Sequence, residues 1–343
     1  MFRSSLSFDD VLLLPQYSDI ISRSEVSLDS HLGNIKATLP IVSSPMDTVT
    51  ESEMASSISG LGGVAIVHRY NSIEDQVKMI QSVENRVDTV GAAIGVSGDF
   101  IERTAALTST GVKLVCIDVA HGHHAMVRYA IETIKKTFGS QVYLMAGNVA
   151  TKEAFEDLAN WGADSVRVGI GGGSICSTRI NTGHGLPTFQ SVLDCSDVSD
   201  RMGVPMIADG GIKNSGDIVK AIAAGASFVM LGSLLSGTTQ SPGRKIVKED
   251  GRSFKEYRGM ASERAQMKWR GRVNSREGVS ALVPFKGDVS DVIRDLDAGI
   301  RSGLSYSGSR TISEFQIRAK FIEQTSAGTN ESGTHILSSG KSI

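Results

Sequence analysis

The chain is poor in cysteine: Cys116, Cys176 and Cys195 are its only three in 343 residues. So odd and sparse a set builds neither a disulfide framework nor a CxxC-type zinc site, and any cysteine chemistry rests on one thiol acting alone. Charge of a single sign is also lacking, with 35 Lys plus Arg against 37 Asp plus Glu, a net charge of -2 and a pI near 6.4. That balance removes the broad basic surface that generic binding to nucleic acid or an anionic membrane needs. No apolar run reaches the roughly 18 residues of a membrane span. The opening MFRSSLSFDD has no apolar signal core, so the expected location is the cytoplasm. The expected partners are small molecules or further copies of the chain. What is present, 40% hydrophobic and 21% charged residues with 37 Gly against 7 Pro, describes one or two ordinary soluble domains.

Short apolar or β-branched runs recur, each followed by a turn and a longer stretch of helical spacing. Eight are present: 39–46 (LPIVSSPM), 63–68 (GVAIVH), 89–95 (TVGAAIG), 113–119 (KLVCIDV), 141–147 (QVYLMAG), 164–170 (DSVRVGI), 205–211 (PMIADGG) and 228–233 (FVMLGS). Continuous rather than alternating apolar runs suit parallel strands buried on both faces. Helices are predicted over 72–83, 126–138 and 214–224, the last with Ser215 as its cap. Eight such βα units predict an α/β fold, a (β/α)8 TIM barrel filling 1–325 as one domain. A doubly wound sheet, the rival, has fewer units and a switch point. The stretch after the eighth run, about 236–288, is rich in Gly, Arg and Lys and lacks a strong apolar period. It is expected to be a mobile flap over the active site. The last residues, 326–343 (SAGTNESGTHILSSGKSI), are small and polar and are expected to form a disordered tail.

Chemistry in such a barrel gathers where strands end and βα loops begin. Ser44, Asp47, Asp118, Asn148, the stretch GIGGGSICSTR, Asp209 to Gly211, and Gly232 with Ser233 all fall there. Gly171, Gly172 and Gly173 leave a backbone free to bind an anion with amides, to bind a monovalent cation with carbonyls, or simply to turn tightly. Cys176 on that loop, with Thr178 and Arg179 just beyond, is placed for nucleophilic attack, the cation favouring the thiolate. Cys116 lies inside an apolar strand and Cys195 follows a helical stretch, where packing accounts for both.

The ends ADGG and LGS of the seventh and eighth runs resemble the paired glycine loops that hold a phosphate in many barrels, with the hydroxyls of Ser174 and Ser233 as further donors. Asp209 would repel a phosphate and is expected to accept bonds from ribose hydroxyls. Without a ligand, glycine at a strand end merely relieves crowding. His121, His123 and His124 in AHGHH have one carboxylate close by, Asp118, and no helical pair of ligands, so metal binding is the minor reading. Glu277 is either a solvated charge or a carboxylate that swings over the thiol to move a proton.

Taken together, LSFDDVLLLPQYS, SSPMDTVTE, GIGGGSICSTR, IADGGIKNSGDIVKA, FVMLGSLLSGTT and YRGM resemble the family of inosine monophosphate dehydrogenase and guanosine monophosphate reductase. The resemblance runs from Leu6 to about Gly328. It implies a barrel assembled as a homotetramer, with a GMP or IMP nucleotide and a nicotinamide cofactor as ligands. It carries the family's catalytic cysteine, threonine and glutamate onto Cys176, Thr178 and Glu277. Nucleotide contacts fall on Ser44, Met46, Ser174, Asp209, Gly210, Gly211, Gly232, Ser233, Tyr257, Gly259 and Met260. The cofactor side falls on Asp118, Ala120, Ser262, Lys268 and Tyr306, and Lys268, Arg270, Arg272 and Arg276 are the cations available to a 2'-phosphate. A monovalent-cation loop, taking K+, falls on Gly171, Gly173 and Cys176.

The two activities share a covalent nucleotide intermediate, which the dehydrogenase must hydrolyse with an Arg-Tyr pair on a long flap. Between Met260 and Glu277 the segment ASERAQMKWRGRVNSR holds no such pair. The two-module regulatory (CBS) insertion of many dehydrogenases is also missing, since SVENRV at 82–87 runs straight into the third strand. The stretch 283–308 looks like the reductase, whereas LLLPQYS, SSPMDTVTE, DVAHGHH and GSLLSGTT look like the dehydrogenase. The resemblance thus implies an NADPH-dependent GMP reductase that makes IMP and ammonia through a thioimidate on Cys176, with IMP dehydrogenase as the alternative.

Overall fold

The structure, a computed structural model, describes residues 4–84, 88–271, 273 and 277–333. All eight apolar runs form strands: β1 (Ile41–Ser43), β2 (Val64–Val67), β3 (Val90–Ile94), β4 (Leu114–Asp118), β5 (Tyr143–Val149), β6 (Ser165–Val168), β7 (Met206–Asp209) and β8 (Phe228–Leu231). They run parallel and close into a barrel, β8 pairing back onto β1 through Val229 opposite Ile41 and Leu231 opposite Ser43. A closed ring has no switch point, which excludes the doubly wound sheet. Every residue of β1, β2, β3 and β8 is buried, as continuous apolar strands require when helices cover one face and the barrel interior the other.

Along a strand, side chains alternate between those two faces. In β6, Val166 and Val168 pack outward into the core shared with the helices, so Ser165 and Arg167 turn inward. The interior is otherwise filled by apolar residues such as Ile66, Leu114, Met145, Ile207 and Phe228. The hairpin of Ser30–Leu32 and Ile35–Ala37 plugs its lower end, with Leu32, Ile35 and Ala37 joining the same cluster. β5 comes so close to β6 at Gly147 that a Cβ there would lie 2.6 Å from the Cβ of Arg167. Only glycine admits this approach.

The predicted helices occur as Ile73–Gln81, Ala125–Phe138 and Ser215–Ala223. The cap of the third is Asn214 rather than Ser215: its side chain accepts from the Asp217 N–H at 3.0 Å. Asn214 holds the extended backbone that a cap needs, and Ser215 is already helical.

The described residues of 236–288, the stretch expected to be a mobile flap, carry regular structure. Ile246–Val247, Ser253–Arg258 and Ser280–Pro284 form an antiparallel sheet, and Glu263–Arg270 a helix capped by Ser262. Polar anchors replace the apolar period that was missing. Lys255 is 4% exposed and donates to the carbonyls of Thr238 and Thr239 at 3.1 Å and to that of Ser241. Arg258 forms a buried pair with Asp47, just past β1, its Nε 3.1 Å from both carboxylate oxygens. Thr48 Oγ1 accepts from the Arg258 amide at 3.2 Å.

At the end of the chain, Phe321–Glu323 pairs with Val11–Leu13, and Ser326–Glu331 forms a helix capped by Thr325. Thr329 Oγ1 donates to Asp9 O at 3.1 Å. The first part of the expected tail is therefore helical, because its cap and its contact with the N-terminal arm supply what the missing apolar period did not. Residues 334–343 lie outside the described residues, as do 85–87 next to the junction where the two-module insertion would sit. Among the described residues no helix is long and apolar enough to cross a membrane.

Removing one partner of a buried ion pair strands the other charge, at a cost of about 3–5 kcal/mol. Asp47→Ala is expected to lower the urea midpoint of unfolding much further than the double variant Asp47→Ala/Arg258→Met does. Equal midpoints for Asp47→Ala and the unaltered chain would show that the pair does not anchor the sheet of 246–284.

Candidate active site

A cavity of about 580 Å³ opens where the barrel strands end. Cys176 lies on its wall, on the loop after β6. Its thiol donates to Thr178 Oγ1 at 3.2 Å, and Thr178 Oγ1 donates to Glu277 Oε2 at 2.9 Å. Backbone pairing brings the carboxylate there: Ser177 N donates to Glu277 O at 3.2 Å and Val279 N to Ile175 O at 3.0 Å. Gly259 and Gly278 make room for this pairing, since a Cβ on either would lie 3.2 Å from the α-carbon of the other. Thiol, hydroxyl and carboxylate form one hydrogen-bonded path, which can take a proton from sulfur and deliver it to a group bound beside it.

Arg179 does not face the thiol. Its guanidinium donates to Leu186 O at 2.6 Å and Ile170 O at 3.5 Å, and it lies against Gly171, where φ is +79° and a Cβ would sit 2.6 Å from Arg179 Cγ. The Gly173 carbonyl accepts from the Cys176 amide at 3.0 Å. The loop of Gly171, Gly173 and Cys176 is thus braced by a protein cation and by its own turn.

Ser44 and Met46 after β1, Ser174, Asp209 to Gly211 after β7, and Gly232 with Ser233 after β8 all line the cavity. So do Tyr257, Gly259 and Met260 from the folded insertion. A Cβ on Gly232 would lie 2.9 Å from Tyr257 Oη and 3.2 Å from Met46 Sδ, so glycine is needed for these side chains to meet. Burial pushes the Tyr257 phenol up to about 12, against the effect of a hydrogen bond with Ser174, and keeps it a neutral donor. Met260 Sδ accepts from the Asp47 amide at 3.3 Å.

Arg167 belongs to no motif that marks it in the sequence, yet it stands at the centre of the site. It is 4% exposed, and it donates from one terminal nitrogen to Asp118 Oδ1 and from the other to Asp209 Oδ2, each at 2.8 Å. Asn148 Nδ2 donates to the same Asp209 oxygen at 2.8 Å. Burial opposes the guanidinium charge, but the carboxylates of Asp209 and Asp118 outweigh it, and Arg167 stays protonated. Asn148 Oδ1, Arg167 Nε and Thr188 Oγ1 are buried in the cavity wall without a hydrogen-bond partner among the described residues. The one available signal was a charge inside the apolar run DSVRVGI.

Asp118 and Ala120 also line the cavity, as do Arg69 and Tyr70, which no sequence motif marks. Arg69 donates to Asp118 O at 3.0 and 3.2 Å and lies over the rings of Tyr70 and Trp269 at 5.3 and 5.5 Å. Those two rings stack at 4.2 Å, which docks the insertion helix onto the barrel mouth. Three residues expected on the cofactor side do not line the cavity. Ser262 is 2% exposed and its hydroxyl caps the insertion helix; Lys268 is exposed on that helix. Tyr306, at the end of the helix Val289–Ser305, is 64% exposed beside Gln16, whose amide donates to its carbonyl at 2.9 Å. The side chain of Arg270 and residues Arg272 and Arg276 lie outside the described part.

The histidines serve local structure. His123 Nε2 meets Asp157 at 2.7 Å, and His124 Nδ1 accepts from the Met126 amide at 3.1 Å. Burial, with His123, His124 and His184 nearby, lowers the pKa of His121. Among the described residues, no group of three or more His, Cys, Asp or Glu is placed to hold a metal ion.

A family model described as IMP dehydrogenase / GMP reductase domain matches residues 5–335. The chain is 34% identical to an inosine-5'-monophosphate dehydrogenase of Nitrosopumilus maritimus, over 97% of this chain and 98% of that protein. It is 32% identical to a GMP reductase of Leishmania major, over 97% of each. Among solved structures it resembles a cysteine-to-alanine variant of GMP reductase from Trypanosoma brucei in complex with guanosine 5'-monophosphate. The TM-score is 0.92 at 31% identity, covering 97% of this chain and 98% of that one. The first two alignments span 471 and 478 residues against the 343 here. A dehydrogenase and a reductase thus both carry residues that this chain lacks, and the lack does not separate the two activities.

Burial pushes the thiols of Cys116 and Cys195 up to about 11 and about 12, so both are protonated and enclosed at about pH 8. Iodoacetamide at that pH is expected to label the folded protein on Cys176 alone, read by peptide mass spectrometry. Labelling of Cys116 or Cys195 ahead of Cys176 would contradict the placement of the reactive thiol.

Proposed function

The chain belongs to the IMP dehydrogenase/GMP reductase family of oxidoreductases, and we propose that its reaction is the reductive deamination of GMP to IMP and ammonia with NADPH. The observation that carries this reading is the relay from Cys176 through Thr178 to Glu277, in a chain whose segment 261–276 holds no Arg-Tyr pair to activate water. The bound nucleotide of the Trypanosoma brucei structure supports GMP as the ligand of the matching cavity.

GMP binds with its phosphate on the backbone of Gly211 and Gly232 and the hydroxyls of Ser174 and Ser233. Asp209 accepts from the ribose; its Oδ2 is already engaged by Arg167 and Asn148, which leaves Oδ1 for the ligand. The thiol proton passes through the Thr178 hydroxyl to the Glu277 carboxylate, and the thiolate adds to C2. That proton then goes from Glu277 to the 2-amino group, which leaves as ammonia rather than as an amide anion, and a thioimidate on Cys176 results. One proton moves from sulfur to nitrogen, so the step balances without a further acid.

Asp118 and Ala120, beside the unpartnered Asn148 Oδ1 and Arg167 Nε, fit the polar end of a nicotinamide cofactor. When bound, that cofactor supplies hydride to C2. The carbon–sulfur bond then breaks and Cys176 departs as thiolate, releasing IMP. The chain works as a homotetramer, the assembly that the family resemblance implies.

The purified protein is expected to consume the reduced-nicotinamide absorbance with GMP and NADPH and to release ammonia in equal amount. Cys176→Ala should abolish turnover. Glu277→Gln should slow ammonia release by about 10²–10⁴-fold, the range for losing a positioned acid or base, while GMP still binds. Absorbance growing with IMP and NAD, and no decay with GMP and NADPH, would replace this reading with the dehydrogenase, the activity named for the Nitrosopumilus maritimus relative.

A further inference from the structure

We propose that Arg167 is the positioning residue for both ligands, holding Asp118 toward the cofactor and Asp209 toward the nucleotide in one fixed geometry. The inference rests on the roles given above to those two carboxylates.

The two acids reach the cavity from different strands, Asp118 from the end of β4 and Asp209 from the end of β7. One planar guanidinium joins them, and its two terminal nitrogens each take one carboxylate oxygen at 2.8 Å. The second oxygen of each acid is left for a ligand hydroxyl. The fork itself has little freedom. Gly147 packs against the Arg167 Cβ, Cys116 Sγ accepts from the same nitrogen that meets Asp118, at 3.4 Å, and the side chain is 5% exposed.

Other charged or titratable groups face this cluster. Arg69, from the loop after β2, approaches Asp118 Oδ2 only at 4.0 Å, and the neutral phenol of Tyr257 faces Asp209 from the insertion. Neither bridges the acids. Without Arg167, two half-buried carboxylates would face each other across the barrel mouth with nothing to hold them in place. A lysine keeps the charge but, as a single ammonium, cannot hold two diverging acids by a fork.

The test compares Arg167→Lys and Arg167→Met with Asp118→Asn and Asp209→Asn. Melting temperature is measured for each, together with kcat and separate KM values for nucleotide and nicotinamide. Asp118→Asn should raise only the cofactor KM, and Asp209→Asn only the nucleotide KM. Both Arg167 variants should raise the two together by about tenfold or more, the scale of a charged hydrogen bond, with a smaller fall in kcat. If the Met variant does not fold, the Lys variant, which keeps the buried charge balanced, carries the comparison. An Arg167→Lys enzyme with only one KM raised, or with kcat reduced and both KM values unchanged, would overturn the proposal. All constants are taken with whichever nucleotide and nicotinamide pair the unaltered chain turns over. A chain that oxidises IMP therefore refutes the reductase reading and leaves this test standing.

Discussion

The proposed chemistry depends on a backbone seam between the loop that carries Cys176 and the segment that returns through Glu277. Two hydrogen bonds, Ser177 N to Glu277 O and Val279 N to Ile175 O, hold the seam. The facing glycines 259 and 278 let the chains approach closely enough to make it. The barrel supplies the thiol and the insertion supplies the carboxylate. Without the seam, Glu277 would be one more surface charge. The insertion in turn is fixed to the barrel by Arg258 on Asp47 and by Trp269 on Tyr70, while Lys255 ties its sheet to the carbonyls of its own first residues. Its anchors are polar or aromatic contacts made one at a time, so its position is set without a second apolar core.

A second constraint is electrostatic. A guanidinium buried at a barrel mouth is tolerated only where opposite charge meets it at hydrogen-bond distance. Arg167 meets that condition with Asp118 and Asp209. The same cluster explains why Cys116, although beside the site, is not a second nucleophile. It is fully enclosed, burial pushes its thiol up to about 11, and it is left accepting a hydrogen bond from Arg167. Cys176 alone combines a path for its proton with an opening onto the cavity.

The barrel was legible in the sequence because its strands are buried on both faces, and such strands leave continuous apolar runs that little else in a soluble chain produces. The residues that line the cavity at strand ends were legible for a related reason: polar and glycine residues interrupt those runs where the chain must turn inward. What escaped was built by contacts with no period. The sheet of 246–284 follows no apolar pattern, since Lys255 and Arg258 do the anchoring that leucines would do elsewhere. Arg167 was hidden for the opposite reason, being a single charge within a run read for its apolar content. Ser262, Lys268 and Tyr306 were placed by resemblance, and a motif fixes position along the chain without fixing which way a side chain faces; Ser262 is spent on a helix cap and Tyr306 stands at the far end of another helix.

The docked insertion also bears on which reaction the fold suits. Trp269 stacks on Tyr70, and Arg69, which lies over both rings, binds the carbonyl of Asp118 on the proposed cofactor side. The insertion helix and the cofactor subsite thus share one arginine. A reaction that must hydrolyse its covalent intermediate needs the insertion to bring a water-activating group into the site after hydride has moved. Deamination followed by hydride delivery needs no such second visit. In the proposed reaction Glu277 acts at the first step and the insertion can stay seated through the second. An insertion pinned to the barrel by Arg258 on Asp47 and Trp269 on Tyr70, with the carboxylate of Glu277 already bonded to Thr178, suits the shorter sequence of events proposed above.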